Sequence, residues 1–177
     1  MLRLVVGLAV LVGFVSILGW RYRDELTHFG QWFVDRFGVA GMVIGTALAD
    51  GLHVPLPPQF YLLTGVAGGY GGYVTFFAVL LGSEIGSFLA YSIGGAASKT
   101  MLVERFVAKP RTMLERIIDR QGYVGLAIAT LLPISWCVLC ATIGAMRLPK
   151  RALAVLFVMR VPKLLLSFAV IHYAWHS

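Results

Sequence analysis

The sequence predicts an all-helical (all-α) integral membrane protein built as an inverted repeat, each half a re-entrant hairpin followed by a transmembrane helix, with amphipathic helices lying at the membrane interface. Three observations lead there. Of the 177 residues, 59% are hydrophobic and 13% are charged, against about 25% charged in an ordinary soluble domain. The apolar residues gather into runs close to the ~20 that carry a helix across ~30 Å of hydrocarbon. Two of those runs are broken midway by proline, and each is followed by a run long enough to span, so the same order occurs twice. The chain reads as a single membrane domain over residues 1–177.

Residues 4–20 form the first expected transmembrane helix. Arg3 before an apolar run imitates a secretory signal, but no small-x-small cleavage site follows, and the run closes on Trp20-Arg21-Tyr22-Arg23, an aromatic and basic flank suited to the membrane interface. Across 21–37, Tyr22, Leu26, Phe29, Phe33 and Phe37 recur at spacings of three and four, which predicts an amphipathic interfacial helix.

Residues 38–70 hold apolar stretches at 38–49 and 60–69 on either side of Asp50-Gly51-Leu52-His53-Val54-Pro55-Leu56-Pro57-Pro58-Gln59. Each stretch is too short to span. Pro55, Pro57 and Pro58 remove backbone donors and interrupt the helix, so the segment is expected to return to the face it entered, its bare amides shielded by protein or water. Residues 73–97 then run 25 residues with one charge, Glu84, enough to cross the bilayer.

Residues 98–121 carry six Lys or Arg and place Met113, Leu114, Ile117 and Ile118 on one helical face, a basic surface helix suited to a cytoplasmic leaflet. Residues 122–146, broken at Pro133, form the second expected hairpin, and 152–175, with Arg160, Pro162 and Lys163, the closing transmembrane helix. Because membrane helices tolerate proline, two kinked but fully spanning helices are the alternative to the hairpins.

Charge and repetition support the hairpins. With the first helix starting inside, the N-terminus, 98–121 and 147–151 share the cytoplasmic side and hold ten Lys or Arg against three in 21–37, as the positive-inside rule requires. Hairpin plus span occupies 60 residues in 38–97 and 54 in 122–175, entering from opposite faces. Matching Pro-interrupted segments in two inverted halves point to a binding site near the bilayer midplane.

The net charge of +7 lies mostly between apolar runs, where Lys and Arg orient the chain and meet anionic headgroups. Membrane lipids, and not nucleic acid, are therefore the expected partners; homo-oligomerisation is left open. Four charges lie within apolar segments, where each costs about 2.5 to 3.5 kcal/mol on insertion scales and is usually functional or paired. Glu84 lies eleven residues into its run and Arg160 eight into the last, so both stand roughly 12 to 17 Å deep; Asp50 and Lys163 fall at similar depth. These four are expected to form a cluster in which Arg160 and Lys163 supply positive charge and Asp50 and Glu84 act as counter-ions or proton carriers. The alternative is a structural ion pair of Glu84 with Arg160 or Lys163.

His53, beside Asp50, is a candidate proton relay or a solvated or capping side chain, and Gln59 is a candidate substrate-orienting group that cannot itself carry a proton. Cys137-x-x-Cys140 has the outward form of a redox motif, although cysteines in apolar runs mostly act as small hydrophobes. Gly82-x-x-x-Gly86 has the spacing of close helix contact. No metal or organic cofactor is called for.

Asp50 to Gln59 followed by Leu62-Leu63-Thr64-Gly65 resembles the first hairpin of the DedA, or VTT-domain, membrane proteins. Residues 86–94 (GSFLAYSIG) resemble that family's spanning helix, and Leu131-Leu132-Pro133 with Ile143-Gly144-Ala145-Met146-Arg147-Leu148-Pro149 its second hairpin. The resemblance covers about residues 38–175. It implies two opposed re-entrant hairpins and flippase or scramblase activity toward phospholipids or polyprenyl phosphates, in several members proton-coupled; the expected location is a bacterial inner (plasma) membrane, with the N-terminus cytoplasmic as the Lys and Arg distribution places it. The chain keeps the Gly and Pro skeleton but not the charges. Asp50 and Gln59 stand where the family tends to have Glu, Ser87 where it tends to have Asp, and Gly95, Thr130 and Trp136 where it tends to have Arg. Two other classes remain open from the sequence: an intramembrane thiol redox enzyme using Cys137 and Cys140, and a non-catalytic membrane assembly or scaffold protein.

Overall fold

The computed structural model describes residues 23–52, 58–98, 100–130 and 135–176. The expected helix at 4–20 lies outside these residues, as do His53, Pro55, Pro57 and Pro133. The described residues form six helices and no strand: α1 (Arg23–Leu52), α2 (Pro58–Ala67), α3 (Gly72–Ala96), α4 (Met101–Ala129), α5 (Trp136–Ala145) and α6 (Lys150–His176). Two of them, Gly72–Ala96 and Lys150–Tyr173 within α6, are long and apolar enough to cross a membrane. Pro162 lies inside α6 and Pro110 inside α4, and neither ends its helix.

The distribution of side chains supports a lipid environment beyond length alone. Phe77, Leu81, Ile85 and Phe88 of α3 and Val158, Leu165, Leu166 and Val170 of α6 are exposed, whereas Thr46, Asp50, Thr75, Ser83, Ser87, Thr142 and Arg160 are buried. Water would favour the reverse arrangement, since large contiguous apolar surfaces are rare on soluble monomers.

Two short stretches of chain share their local geometry. α1 bends at Gly38 (φ 56°, ψ −156°) and α4 at Gly122 (φ 58°, ψ −139°). α2 and α5 are both ten residues long and end in the same Schellman motif. After α2, Gly69 N–H donates to Val66 O (3.2 Å) and Tyr70 N–H to Gly65 O (3.0 Å); after α5, Arg147 N–H donates to Gly144 O (2.9 Å) and Leu148 N–H to Ile143 O (3.1 Å). Gly69 and Arg147 both take positive φ. Even the side-chain bonds match: Thr64 Oγ1 donates to Phe60 O (2.7 Å) and Thr142 Oγ1 to Val138 O (2.6 Å).

The two bends give a direct expectation. Their φ/ψ values fall in a region that is essentially glycine's alone, where a side chain costs on the order of 1 to 3 kcal/mol. A Cβ would meet nothing within 4 Å at Gly122 and only the Tyr70 hydroxyl at 3.6 Å at Gly38, so the cost is one of backbone and not of space. Gly38→Ala and Gly122→Ala should each lower the thermal unfolding midpoint in detergent. Gly71→Ala should not, because Gly71 has φ −54° and equally open surroundings.

α3 is the axis of the packing. Its Gly82 and Gly86 receive α1, and its Gly94 lies against Ala141 of α5 while Gly144 of α5 lies against Tyr91. α3 and α6 run antiparallel. The Phe76 and Phe168 rings are 5.6 Å apart, Arg160 bonds Ser83, and Tyr91 Oη donates to Leu148 O at 2.6 Å. One apolar cluster, including Tyr61, Leu62, Phe76, Val79 and Leu164, occupies one end of this pair, and another, including Ala90, Leu126, Leu139, Ile143 and Leu156, occupies the other. Between Val79 and Ala90 on α3, and between Leu156 and Leu164 on α6, the interior turns polar.

Candidate functional site

The polar interval is assembled from four helices. α1 brings Asp50 on its last turn; the helix continues to Leu52, so Asp50 is a helical residue rather than part of the proline-containing break. Gly86 makes room for it, since a Cβ there would stand 2.6 Å from Ala47 O and 2.9 Å from Asp50 Cβ. α3 contributes Ser83 and Ser87, one turn apart on one face. α6 contributes Arg160, and α5 begins with Trp136.

Asp50 and Arg160 are only 6% and 4% exposed, and Arg160 Nη2 pairs with Asp50 Oδ2. Ser83 closes a triangle with them: its hydroxyl donates to Asp50 Oδ2 at 2.6 Å and accepts from Arg160 Nε at 2.6 Å. The guanidinium carbon lies 4.5 Å from the centroid of the Trp136 ring, within cation–π range. Trp136 Nε1 in turn donates to Ser87 Oγ at 2.8 Å, and Ser87 Oγ donates to Ser83 O at 2.7 Å. A buried charge is tolerable only when paired and hydrogen-bonded, and here each charge meets both conditions.

Lys163 stands one turn beyond Arg160. It is exposed, its Nζ lies 5.5 Å from the Trp136 ring centroid, and it donates to Thr130 O at 3.3 Å. The ion pairs among the described residues are Arg160 with Asp50 and, on the surface of α4, Arg111 with Glu115. Lys163 forms no ion pair with a carboxylate among them. Gln59, also exposed, donates from Nε2 to Ser167 Oγ at 3.4 Å, and Ser167 Oγ donates to Lys163 O at 3.2 Å. These contacts join the start of α2 to the middle of α6.

Glu84 follows Ser83 on α3 but faces another direction. It is half-buried, and its Oε2 is shielded from solvent with no hydrogen-bond partner among the described residues. Arg160 thus pairs with Asp50 and not with Glu84. His53 lies outside the described residues. Of the hairpin prolines, Pro58 is described and is buried at the start of α2.

Cys137 and Cys140 are buried on α5 without a disulfide, and the Cys137 thiol lies 3.8 Å from Gly51 O. Among the described residues no three His, Cys, Asp or Glu side chains come together as a metal site.

Ser83 is the member that sequence reasoning passed over. Its signal was present as the paired motif Gly82-Ser83 and Gly86-Ser87, small and polar residues one helical turn apart in an apolar run. Trp136, Ser87 and Thr130 stood out in the sequence only as departures from a family pattern; here Trp136 and Ser87 bond each other, and Thr130 O receives Lys163. Comparison with protein-family models, with curated proteins and with solved structures gives no match to this chain.

Proposed function

We propose that the chain is a DedA-like membrane transporter, a flippase or scramblase that moves an anionic lipid of the phospholipid or polyprenyl-phosphate class across the bilayer. The observation that carries this reading is the buried Asp50–Ser83–Arg160 triangle with Lys163 open beside it. It lies halfway along two antiparallel apolar helices, at the last turn of α1 and the first residue of α5. Charge held at that depth is usually functional.

The matched bends at Gly38 and Gly122, the equal lengths of α2 and α5 and their shared terminal motif support an inverted repeat of two re-entrant hairpins, as does the antiparallel course of α3 and α6. Such a repeat places discontinuous helices around a mid-membrane site and permits alternating access by rocking one half against the other. Headgroup charge is met at Lys163, while Glu84, unpaired nearby, is the candidate proton carrier. The resemblance of the Gly and Pro skeleton to DedA proteins supports the same reading, along with a bacterial inner-membrane location and a cytoplasmic N-terminus.

The test is flux. Purified protein in liposomes carrying labelled phospholipids or a polyprenyl phosphate, with and without a pH gradient, should move at least one of these lipids faster than protein-free liposomes do. Equal rates for every lipid under both conditions overturn the proposal.

A further inference from the structure

The charges of the site set a limit on its ligand. Asp50 and Arg160 cancel within one hydrogen-bonded pair, and Ser83 and the Trp136 face occupy further sides of the guanidinium. Among the described residues, what stays open is a single cation, Lys163, exposed on α6 and bordered by groups that hydrogen-bond without adding charge: Gln59, Ser167 and the Thr130 carbonyl. Leu165 and Leu166, the next residues but one and two along α6, are 50% and 70% exposed, so the cation opens beside a surface suited to acyl chains.

We infer that Lys163, with Gln59 and Ser167, forms a specificity site for a singly charged phosphodiester headgroup on a lipid, and that it discriminates against phosphomonoesters. This rests on the transport reading above, whose two lipid classes it divides. A phosphodiester carries one negative charge and is neutralised by one ammonium. A phosphomonoester carries about −1.5 to −2 at neutral pH, and its second charge finds no further free cation among the described residues of this site. An ammonium is also a point charge that meets one oxygen at a time, whereas the bidentate fork that suits a phosphomonoester is the guanidinium already committed to Asp50. The second N–H of Gln59 Nε2 supplies a neutral donor for a remaining oxygen, while Ser167, whose hydroxyl proton goes to Lys163 O, holds Gln59 in place.

Binding and flux are measured separately on the full chain. In detergent micelles, with Trp20, Trp32 and Trp175 replaced by Phe, the fluorescence of Trp136 reports titration with short-chain phosphatidylglycerol, short-chain phosphatidic acid and dimethyl phosphate. Phosphatidylglycerol should bind about tenfold or more tightly than phosphatidic acid. That preference should vanish in Lys163→Gln and shrink or reverse in Lys163→Arg, whose free fork suits a phosphomonoester, and dimethyl phosphate should not saturate. Equal or tighter binding of phosphatidic acid, an unchanged preference in Lys163→Gln, or saturation by dimethyl phosphate overturns the inference. Selective binding without lipid movement in liposomes sinks the transport reading and leaves this one standing; movement without selectivity does the opposite.

Discussion

Arg160→Met is expected to remove most of the folded protein recoverable in detergent, at a cost of about 3 to 5 kcal/mol, because it strands the Asp50 carboxylate in a site that is nearly closed. Asp50→Asn should be nearly as damaging, since it leaves the guanidinium with Ser83 and the Trp136 face but no counter-charge. The informative variant is the double one. Asp50→Asn with Arg160→Met removes both charges, and replacing a buried pair with neutral groups is often close to neutral in stability. The double variant should therefore recover much of the midpoint lost in either single variant, measured by thermal unfolding of detergent-solubilised protein. If the two losses simply add, the pair is not the coupled unit the geometry describes.

Stability and transport should then separate. A pair kept only so that two helices insert and pack loses nothing essential when both charges go. A pair that belongs to the transport path leaves a folded double variant without flux. Ser83→Ala offers a milder probe, because it removes one donor to Asp50 and one acceptor for Arg160 while the ion pair stays. Its cost should be nearer the 1 to 3 kcal/mol, roughly, of an unsatisfied buried group.

The helical class and the two long apolar helices were legible because length and apolarity leave a one-dimensional record. A run such as 73–97, with one charge in 25 residues, has few ways to be stable except as a helix in hydrocarbon. The divisions that composition places at Gly38 and Gly122 fall on the two bends, where one helical stretch meets the next through a glycine-only backbone conformation. Where a helix ends is recorded less well. The α1 helix runs on to Leu52, past Asp50, since nothing in Asp50-Gly51-Leu52 forbids helix before the prolines begin.

The site was less legible than the fold, for a reason of geometry. Charge in an apolar run draws attention to Glu84, yet successive residues on a helix point about 100° apart, since 3.6 complete a turn. It is Ser83, one step earlier, that faces Asp50 and Arg160. Which carboxylate Arg160 meets depends on how far α1 can approach α3, and that is set by the missing side chain of Gly86. Such a choice is made between helices and leaves no pattern along either one.

The second large effect is expected where α3 crosses α5. Gly94 lies against the Ala141 backbone and Gly144 against the Tyr91 backbone, each on the other's helix; a Cβ at Gly94 would stand 2.8 Å from Ala141 Cα, and one at Gly144 3.0 Å from Tyr91 Cα. The obstructing atoms are backbone, so no rotamer change makes space, and the two helices must separate. Gly94→Leu or Gly144→Leu should cost more than the 1 to 3 kcal/mol, roughly, of ordinary overpacking, and even Gly94→Ala should measurably lower the unfolding midpoint. Gly95→Ala is the control, since a Cβ there would meet only the Gly144 region, at 3.4 Å. The consequence reaches the site, because α5 begins at Trp136. Moving α5 away from α3 breaks the 2.8 Å bond from Trp136 to Ser87 and withdraws the ring from Arg160 and Lys163. A folded remnant of Gly94→Ala should therefore show weakened lipid flux although residue 94 touches none of the charged groups. Flux equal to that of the parent protein in such a remnant would mean that the ring does not take part.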